Sequence, residues 1–291
     1  MTAQQLLLSL VLAVMVFSVA LELRVEDFRR VTRIPGSVVC GLIPQFVLLP
    51  VGTWLATLLL ELPAPVEAAM LLVASCPGGS LSNVLTHYGG GNTALSISIS
   101  AVASLLALVL TPFHFGWMMA ANPVTASWLR DLAVDPSDVW INLVLILAVP
   151  MSLGLVFSHK LPGATARLQK PLANFSLVAL LAFIGLGVFR QSHLLTPKLL
   201  PQLVLVVLHN AGGLAFGWLS AMAMGVSERD RRAVMLEGGM QNSGLALGII
   251  AVQFHSDVGM VVVASLWGIW HIVSGLTLAA LWRRKDARSA A

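Results

Sequence analysis

Long apolar stretches separated by short polar or charged loops dominate the hydropathy pattern of this chain. Crossing the hydrocarbon core of a bilayer takes about 20 helical residues, and nine stretches are long enough. They lie at residues 4–22, 35–59, 65–87, 93–119, 138–158, 172–190, 199–224, 232–254 and 258–282. The pattern therefore predicts an all-α polytopic membrane protein with about nine transmembrane helices.

Paired glycines interrupt two of these predicted spans. Residues 76–83 read CPGGSLSN, and residues 236–243 read LEGGMQNS. A glycine inside a helix costs about 1 kcal/mol relative to alanine, and Pro77 also removes a backbone donor. Within a bilayer, irregular backbone is tolerated only where it lines a cavity or an ion site, and paired breaks are typical of transporters. Both segments are therefore predicted to be broken helices at a transport site.

Composition supports a membrane assignment and excludes several other classes. Hydrophobic residues make up 57% of the chain and charged residues only 10%, which is unlike a soluble domain. The first stretch lacks a basic leading region and a clear cleavage site, so it is predicted to be a helix rather than a signal peptide. Cys40 and Cys76 both fall within spans and are predicted to be free buried thiols, without a disulfide or metal-ligand pattern. The whole chain, residues 1–291, is interpreted as a single membrane domain.

The distribution of Lys and Arg predicts the orientation. Placing the N-terminus outside assigns 14 of the 17 basic residues to cytoplasmic loops and leaves only Arg130, Arg190 and Lys198 outside. This agrees with the positive-inside rule, and an odd number of spans places the C-terminus in the cytoplasm. The basic pI is explained by topology. The lipid bilayer is therefore the expected partner, and no nucleic-acid partner is expected. No organelle transit peptide is apparent, which favours a plasma or bacterial inner membrane.

The two broken segments also suggest internal symmetry. Aligning Gly78 and Gly79 with Gly238 and Gly239 places the polar pair at 82–83 opposite the pair at 241–242, with one residue of slack. In the predicted topology these two spans cross the membrane in opposite senses. The sequence therefore predicts inverted repeats whose broken helices cross.

Several segments carry a resemblance to a known family. They are CPGGSLSNVLTHYGGGNTALSIS at 76–98, EGGMQNSGLAL at 237–247, LHN at 208–210 and LELRVEDFRRVTRIPGSVVCGLIPQFVLLP at 21–50. Together they resemble the bile acid:sodium symporter family. The resemblance implies a core bundle (35–119 and 199–282) and a panel bundle (4–22 and 138–190), with substrate bound between them during alternating access.

Glu237 is predicted to lie deep in its span, where an ionised carboxylate is costly unless it is compensated. No Lys or Arg is predicted at matching depth, so a bound cation is the simplest compensation. A hydrated cavity or a protonated acid are the alternatives. The resemblance implies two sodium ions, which prefer oxygen ligands, and no other cofactor. The first site would use Ser82, Asn83, Ser96, Ser100 and Glu237; the second would use Gln45, Glu237, Gln241 and the carbonyls of Gly238 and Met240.

Charge balance and the same resemblance suggest how a substrate would bind. Two sodium ions around one glutamate leave a net charge of plus one, which an organic monoanion would balance. Half-helix N-termini at the two breaks would supply backbone donors. His271 would lie near the cavity, although a histidine bonded to a neighbouring helix fits the sequence equally well. His209 and Asn210 could stabilise a helix crossing or touch substrate. The predicted substrate-binding residues are Ser80, Asn83, Asn242 and His271.

These features favour a secondary active transporter rather than an enzyme. No HExxH or GxSxG motif occurs, and no pair of intramembrane carboxylates is apparent. The predicted function couples sodium influx to uptake of an organic anion, such as a bile acid-like, pantoate-like or other small organic acid. Three alternatives stay open: a proton-coupled or uncoupled organic-anion carrier, an arsenite-type exporter of the same superfamily, and a cation channel or exchanger.

Overall fold

The computed structural model describes residues 3–132, 136–190 and 199–290, and these ranges are almost entirely helical. The helices up to the second break are α1 Ala3–Glu22, α2 Val25–Val31, α3 Pro35–Ile43, a π-helical turn Pro44–Leu48, α4 Leu49–Leu60, α5 Ala64–Ser75, α6 Ser80–Tyr88, α7 Thr93–Ala121, α8 Pro123–Asp131, α9 Pro136–Lys160, α10 Pro162–Arg190, α11 Leu200–Ala223 and α12 Glu228–Gly239. They are followed by α13 Ser243–Gln253 and α14 Val258–Ala290.

The structure confirms an all-α membrane protein with two broken helices. Five described helices are long and apolar enough to cross a bilayer, or six if α1 and α2, bent by 63°, count together. The halves of the broken segments are too short to qualify alone, because each has 12 residues or fewer. The count of nine spans therefore stays a prediction.

The two broken segments occupy the centre of the bundle. Every residue of α5 from Val66 onward is buried, and so is every residue of α13 from Ser243 to Ala251. The main apolar core joins these two helices to α1, α7, α9 and α14. In contrast, α1, α9 and α11 expose large aliphatic side chains on their outer faces, including Leu7, Leu153 and Leu208. Such exposed apolar faces fit contact with lipid.

Three boundaries differ from the sequence prediction. The polar stretch at 120–137, which lies between two predicted spans, contains the short helix α8, which Asn122 caps by accepting bonds from Val124 and Thr125 N–H. Helix α10 begins at Pro162 rather than at 172, and α14 continues to Ala290 rather than ending at 282. Polar helix ends account for the last two differences, since a hydropathy threshold detects only the apolar part of a helix. Residues 133–135 and Lys198 lie outside the described residues.

One end of the bundle is joined by polar contacts between α12, α14 and the loop after α6. Arg232 of α12 is buried and donates two hydrogen bonds to Asp286 of α14, at 2.6 and 2.7 Å, and one to the Gly89 carbonyl at 2.8 Å. Asn92 donates to Asp230 at 2.7 Å. The bidentate pair fixes the outer end of α12 relative to its neighbours, and Glu237 lies five residues along the same helix.

Candidate ion and substrate site

The two broken segments meet at their breaks. Helix α5 ends at Ser75 because the following Cys76 is extended and Pro77 has no N–H to continue the helix. Gly78 forms an isolated antiparallel bridge with Gln241, and Asn242 N–H donates to the Pro77 carbonyl at 2.8 Å. The freed backbone of each segment is thus partly satisfied by the other, and four half-helices converge on this crossover.

A cluster of oxygen atoms surrounds the fully buried carboxylate of Glu237. Oε1 lies 2.5 Å from the Ser82 hydroxyl, 2.6 Å from that of Ser96 and 2.9 Å from that of Ser100. Ser96 and Ser100 are one helical turn apart on α7, so both hydroxyls face the same side. The side-chain oxygen of Asn83, Oδ1, lies 2.8 Å from the Ser96 hydroxyl. The five residues expected at the first sodium site therefore come together from α6, α7 and α12.

This cluster holds more oxygen contacts than its hydroxyl protons can serve. Ser82, Ser96 and Ser100 bring one proton each. They make seven oxygen–oxygen contacts of 2.5–3.4 Å with Glu237, Asn83 and the Gly79 carbonyl. Oxygen atoms this close without a proton between them repel each other, and a cation among them removes that repulsion. The groups gathered here are carboxylate, hydroxyl and amide oxygens, a set that favours a hard, oxygen-preferring ion.

A second set of polar atoms converges on Gly78. A Cβ built on Gly78 would lie 2.9 Å from Glu237 Oε2, 3.1 Å from Gln45 Nε2 and 3.4 Å from the Met240 carbonyl oxygen. Only glycine allows this approach. The Gln45 side chain is fully buried, and neither of its amide atoms has a hydrogen-bond partner among the described residues. A buried amide without partners is costly, so a bound ligand is the simplest account of this position.

The π-helical turn explains how Gln45 reaches the crossover. Leu49 N–H donates to the Pro44 carbonyl, five residues back, instead of four. Pro44 and Pro50 both lack the N–H that a regular helix would use here. Such π-turns occur frequently at functional sites.

The remaining two residues expected at the second sodium site pair with each other. Gln241 Nε2 donates to the Gly238 carbonyl at 3.3 Å, while Gln241 Oε1 has no partner among the described residues. The Gly238 carbonyl oxygen would lie 2.6 Å from a Cβ on Gly213, so it faces α11. Gln45, Glu237 and Met240 thus converge directly on Gly78. Gln241 contributes Oε1, which has no hydrogen-bond partner among the described residues.

A cavity of about 1050 Å³ lies between the crossover and helices α1, α9 and α10. It reaches the surface beside α2, where Arg24 and Glu26 are exposed. All four residues expected to bind substrate line this cavity: Ser80, Asn83, Asn242 and His271. Asn242 Oδ1 caps α13 by accepting from Leu245 N–H. The amide NH₂ groups of Asn83 and Asn242 have no hydrogen bond to the described residues.

The three residues whose roles the sequence left open differ in their surroundings. His271 donates from Nδ1 to the Trp267 carbonyl at 2.8 Å, since a carbonyl only accepts, and it lines the cavity. His209 does not line the cavity: Nδ1 accepts from Trp267 Nε1 at 3.0 Å, and Nε2 lies 2.8 Å from Thr53 Oγ1. Asn210 donates to the Gly239 carbonyl at 2.7 Å. His209 therefore connects α11 to α4 and α14, and Asn210 connects α11 to the end of α12.

The sequence argument overlooked a second buried glutamate. Glu67 of α5 is fully buried; Oε1 accepts from Leu62 N–H at 3.2 Å, and Oε2 accepts from Asn122 Nδ2 at 2.9 Å. It is the third residue of its predicted span, so it looked like a span boundary rather than a carboxylate at membrane depth. Both oxygens face N–H donors, so no cation is needed to explain this carboxylate.

The paired broken helices, the buried oxygen cluster and the adjoining cavity define a membrane carrier. Residues 9–198 match the Sodium Bile acid symporter family. The chain is 30% identical over 278 residues to the uncharacterised sodium-dependent transporter YocS of Bacillus subtilis (strain 168), covering 96% of this chain and 83% of that protein.

Two other relatives have more specific names. The ileal sodium/bile acid cotransporter of Homo sapiens is 26% identical over 251 residues, which cover 85% of this chain and 69% of that protein. The probable chloroplastic sodium/metabolite cotransporter BASS1 of Oryza sativa subsp. japonica is 27% identical over 264 residues, with 90% and 62% coverage. The chain belongs to the sodium bile acid symporter family. It is a multi-pass, sodium-coupled membrane transporter and not an enzyme.

Proposed function

We propose that this protein couples the influx of two sodium ions to the uptake of a small organic acid by alternating access. The surplus of oxygen contacts around Glu237 carries this proposal. One ion would occupy the cluster of Ser82, Asn83, Ser96 and Ser100 beside Glu237 Oε1. The other would lie near Gly78, between Gln45, the Met240 carbonyl and Glu237 Oε2. Gln241 would add its side-chain oxygen as a ligand, while its NH₂ group donates to the Gly238 carbonyl.

The substrate would bind in the adjoining cavity, with its carboxylate at the crossover. Ser80, Asn83, Asn242 and His271 all line that face of the cavity. The free NH₂ groups of the two asparagines and the first backbone amides of α6 and α13 are suitable donors for an anion. Because sodium and substrate would share the crossover backbone, each would raise the affinity of the other by the same factor.

Alternating access would move a core bundle (35–119 and 199–282) against a panel bundle (4–22 and 138–190). The cavity lies along the boundary between these groups and opens beside α2. With the N-terminus outside and the C-terminus inside, as the Lys and Arg distribution predicts, this opening faces the cytoplasm. In that orientation the structure corresponds to an inward-open state in the cell membrane.

Thermal stability of the detergent-purified protein, titrated with sodium or potassium chloride, tests this proposal. A ligand that binds only the folded state stabilises it by RT ln(1 + [L]/Kd), or about 2.7 kcal/mol at 100 times Kd. We expect sodium, and not potassium, to raise the melting temperature of the wild type, and Glu237→Ala to remove the response. An equal response to both salts, or an unchanged response in Glu237→Ala, would contradict it. Stabilisation by low pH in place of sodium would instead support proton coupling.

A further inference from the structure

A carboxylate without a partner lies on the cavity wall opposite the crossover. Glu22 is the last residue of α1, is partly buried and lines the cavity. Its side chain makes no hydrogen bond or ion pair with any described residue. Nothing in the proposed sodium sites uses this residue.

The other charged groups that line the cavity do not neutralise Glu22. Asp27 accepts from Arg24 N–H at 3.2 Å and lies 3.7 Å from Arg30 Nη1, which also donates to the Ala94 carbonyl. The side chains of Arg24 and Glu26 are exposed at the opening and have opposite charges, so solvent screens both. Glu22 therefore leaves about one uncompensated negative charge on the cavity wall.

The ends of the helices give this cavity two poles. The last backbone carbonyls of α1 carry partial negative charge close to Glu22, and the Glu22 carboxylate adds to this charge. At the crossover, the first amides of α6 and α13 direct partial positive charge into the same cavity. Apolar side chains line much of the rest of the cavity, among them Met15, Val19, Leu108 and Met151. A ligand that fits has an anionic end, an apolar middle and a cationic end.

Helix geometry gives the separation of the poles along the bundle. Leu12 of α1 contacts Gly248 of α13, six residues beyond Asn242. Glu22 lies ten residues beyond Leu12 on α1. Arg30, shortly after α1, donates to the Ala94 carbonyl, and nearby Asn92 donates to Asp230 at the start of α12, so α1 runs antiparallel to α12 and α13. At about 1.5 Å per residue, Glu22 lies roughly 6 Å from the level of Asn242 along the bundle axis, before the width of the cavity is added.

We propose that the substrate is an amino-bearing organic acid, with its carboxylate at the crossover and its ammonium group on Glu22. Charge balance supports this class: two sodium ions are offset by Glu237 and Glu22 together, so a zwitterion leaves the loaded site neutral. The organic monoanion expected from Glu237 alone would leave it negative. This inference rests on the proposed sodium-coupled function and narrows its substrate.

Matched ligands test this assignment directly. The dissociation constants of 6-aminohexanoate and hexanoate would be measured for the purified protein in saturating sodium, with shorter and longer pairs of the same series. We expect the amino acid to bind about tenfold more tightly, because a hydrogen bond to a partly buried charge is typically worth that much. Glu22→Gln should abolish the advantage, Glu22→Asp should retain part of it, and the exposed control Glu26→Gln should retain all of it.

The outcomes separate this inference from the function on which it rests. Hexanoate binding as tightly as 6-aminohexanoate across the whole series in wild type would overturn the inference, even if Glu22→Gln fails to fold. An amino preference that persists in Glu22→Gln would also overturn it. In either case, a sodium-dependent rise in melting temperature would leave the proposed function standing. Absence of that rise in wild type would contradict the proposed function itself.

Discussion

Two carboxylates, Glu237 and Glu67, are fully buried on the two broken segments of this transporter. Around Glu67, every contact is an N–H that donates to the carboxylate. Around Glu237, the contacts are hydroxyl groups whose few protons are shared among too many oxygens. Burial alone is therefore a poor indicator of an ion site. The balance of donors and acceptors in the surroundings distinguishes a structural carboxylate from a candidate cation ligand.

Glu67 belongs to a polar network that closes the opposite end of the bundle from α2. Asn122 Nδ2 donates to both Glu67 and Thr57, while Asn122 Oδ1 caps α8. Each polar atom of this network therefore has a defined structural partner. The Glu237 cluster and the Gln45 amide lack such partners, which is why the following predictions contrast the two regions.

Among substitutions that leave both glutamates in place, the largest effect on sodium is expected from Gln45→Leu. This change removes the amide near Gly78 but leaves the Ser96 and Ser100 cluster in place, so one of the two proposed ions should be lost. Sodium titrations of melting temperature should change from cooperative, two-ion behaviour to single-ion behaviour. A titration curve with wild-type steepness would show that Gln45 is not a ligand. Gln202→Leu provides a control glutamine on α11 away from the crossover.

Asn122→Ala should lower the free energy of unfolding by about 2 kcal/mol. It removes a helix cap and leaves one buried oxygen of Glu67 without its donor. The sodium dissociation constant should remain at the wild-type value, because Asn122 lies in the Glu67 network. Chemical unfolding in saturating sodium and a parallel sodium titration measure the two quantities. A large loss of sodium affinity would mean that the two regions are coupled.

Ser96→Ala should weaken sodium affinity by roughly tenfold, a loss of about 1.4 kcal/mol that fits one oxygen ligand. Ser98→Ala is a matched control on the same helix, since its hydroxyl donates only to the Ala94 carbonyl. We expect the control to keep wild-type sodium affinity. Equal effects from both substitutions would indicate a general change in α7 rather than loss of a ligand.

Glu67→Gln should have the smallest effect, about 1 kcal/mol of lost stability. The amide retains one acceptor for Asn122 or Leu62 but turns its NH₂ group towards the other donor. The sodium-induced rise in melting temperature should persist in full. A variant that melts like wild type but no longer responds to sodium would reverse the roles assigned to the two glutamates.

Local sequence signals predicted the breaks, whereas the residues of the two ion sites were implied by a family resemblance and stay a prediction. Pro77 and the paired glycines mark the break at 76–79 directly, and the spacing of Ser96 and Ser100 places two hydroxyls on one face. Glu67 was missed because apolar neighbours on one side and a loop on the other make it look like a span boundary. The π-helical turn at Gln45 had a signal in the flanking prolines at 44 and 50.

Features that depend on packing between distant helices could not be predicted in this way. The surroundings of His209 and Asn210 became clear only once α4, α11 and α14 were placed together. The position of Glu22 on the cavity wall likewise depends on how α1 lies against α13. Hydropathy reports which face of a helix avoids water, but it does not report which polar atoms meet across a cavity.

Equilibrium binding of radioactive sodium-22 to the purified protein tests the contrast between the two glutamates most directly. We predict saturable binding that excess unlabelled sodium displaces and potassium does not, in wild type and in Glu67→Gln. Glu237→Gln, which keeps the size of the side chain but removes its charge, should bind none. Saturable binding retained in Glu237→Gln, or lost in a folded Glu67→Gln, would contradict the account.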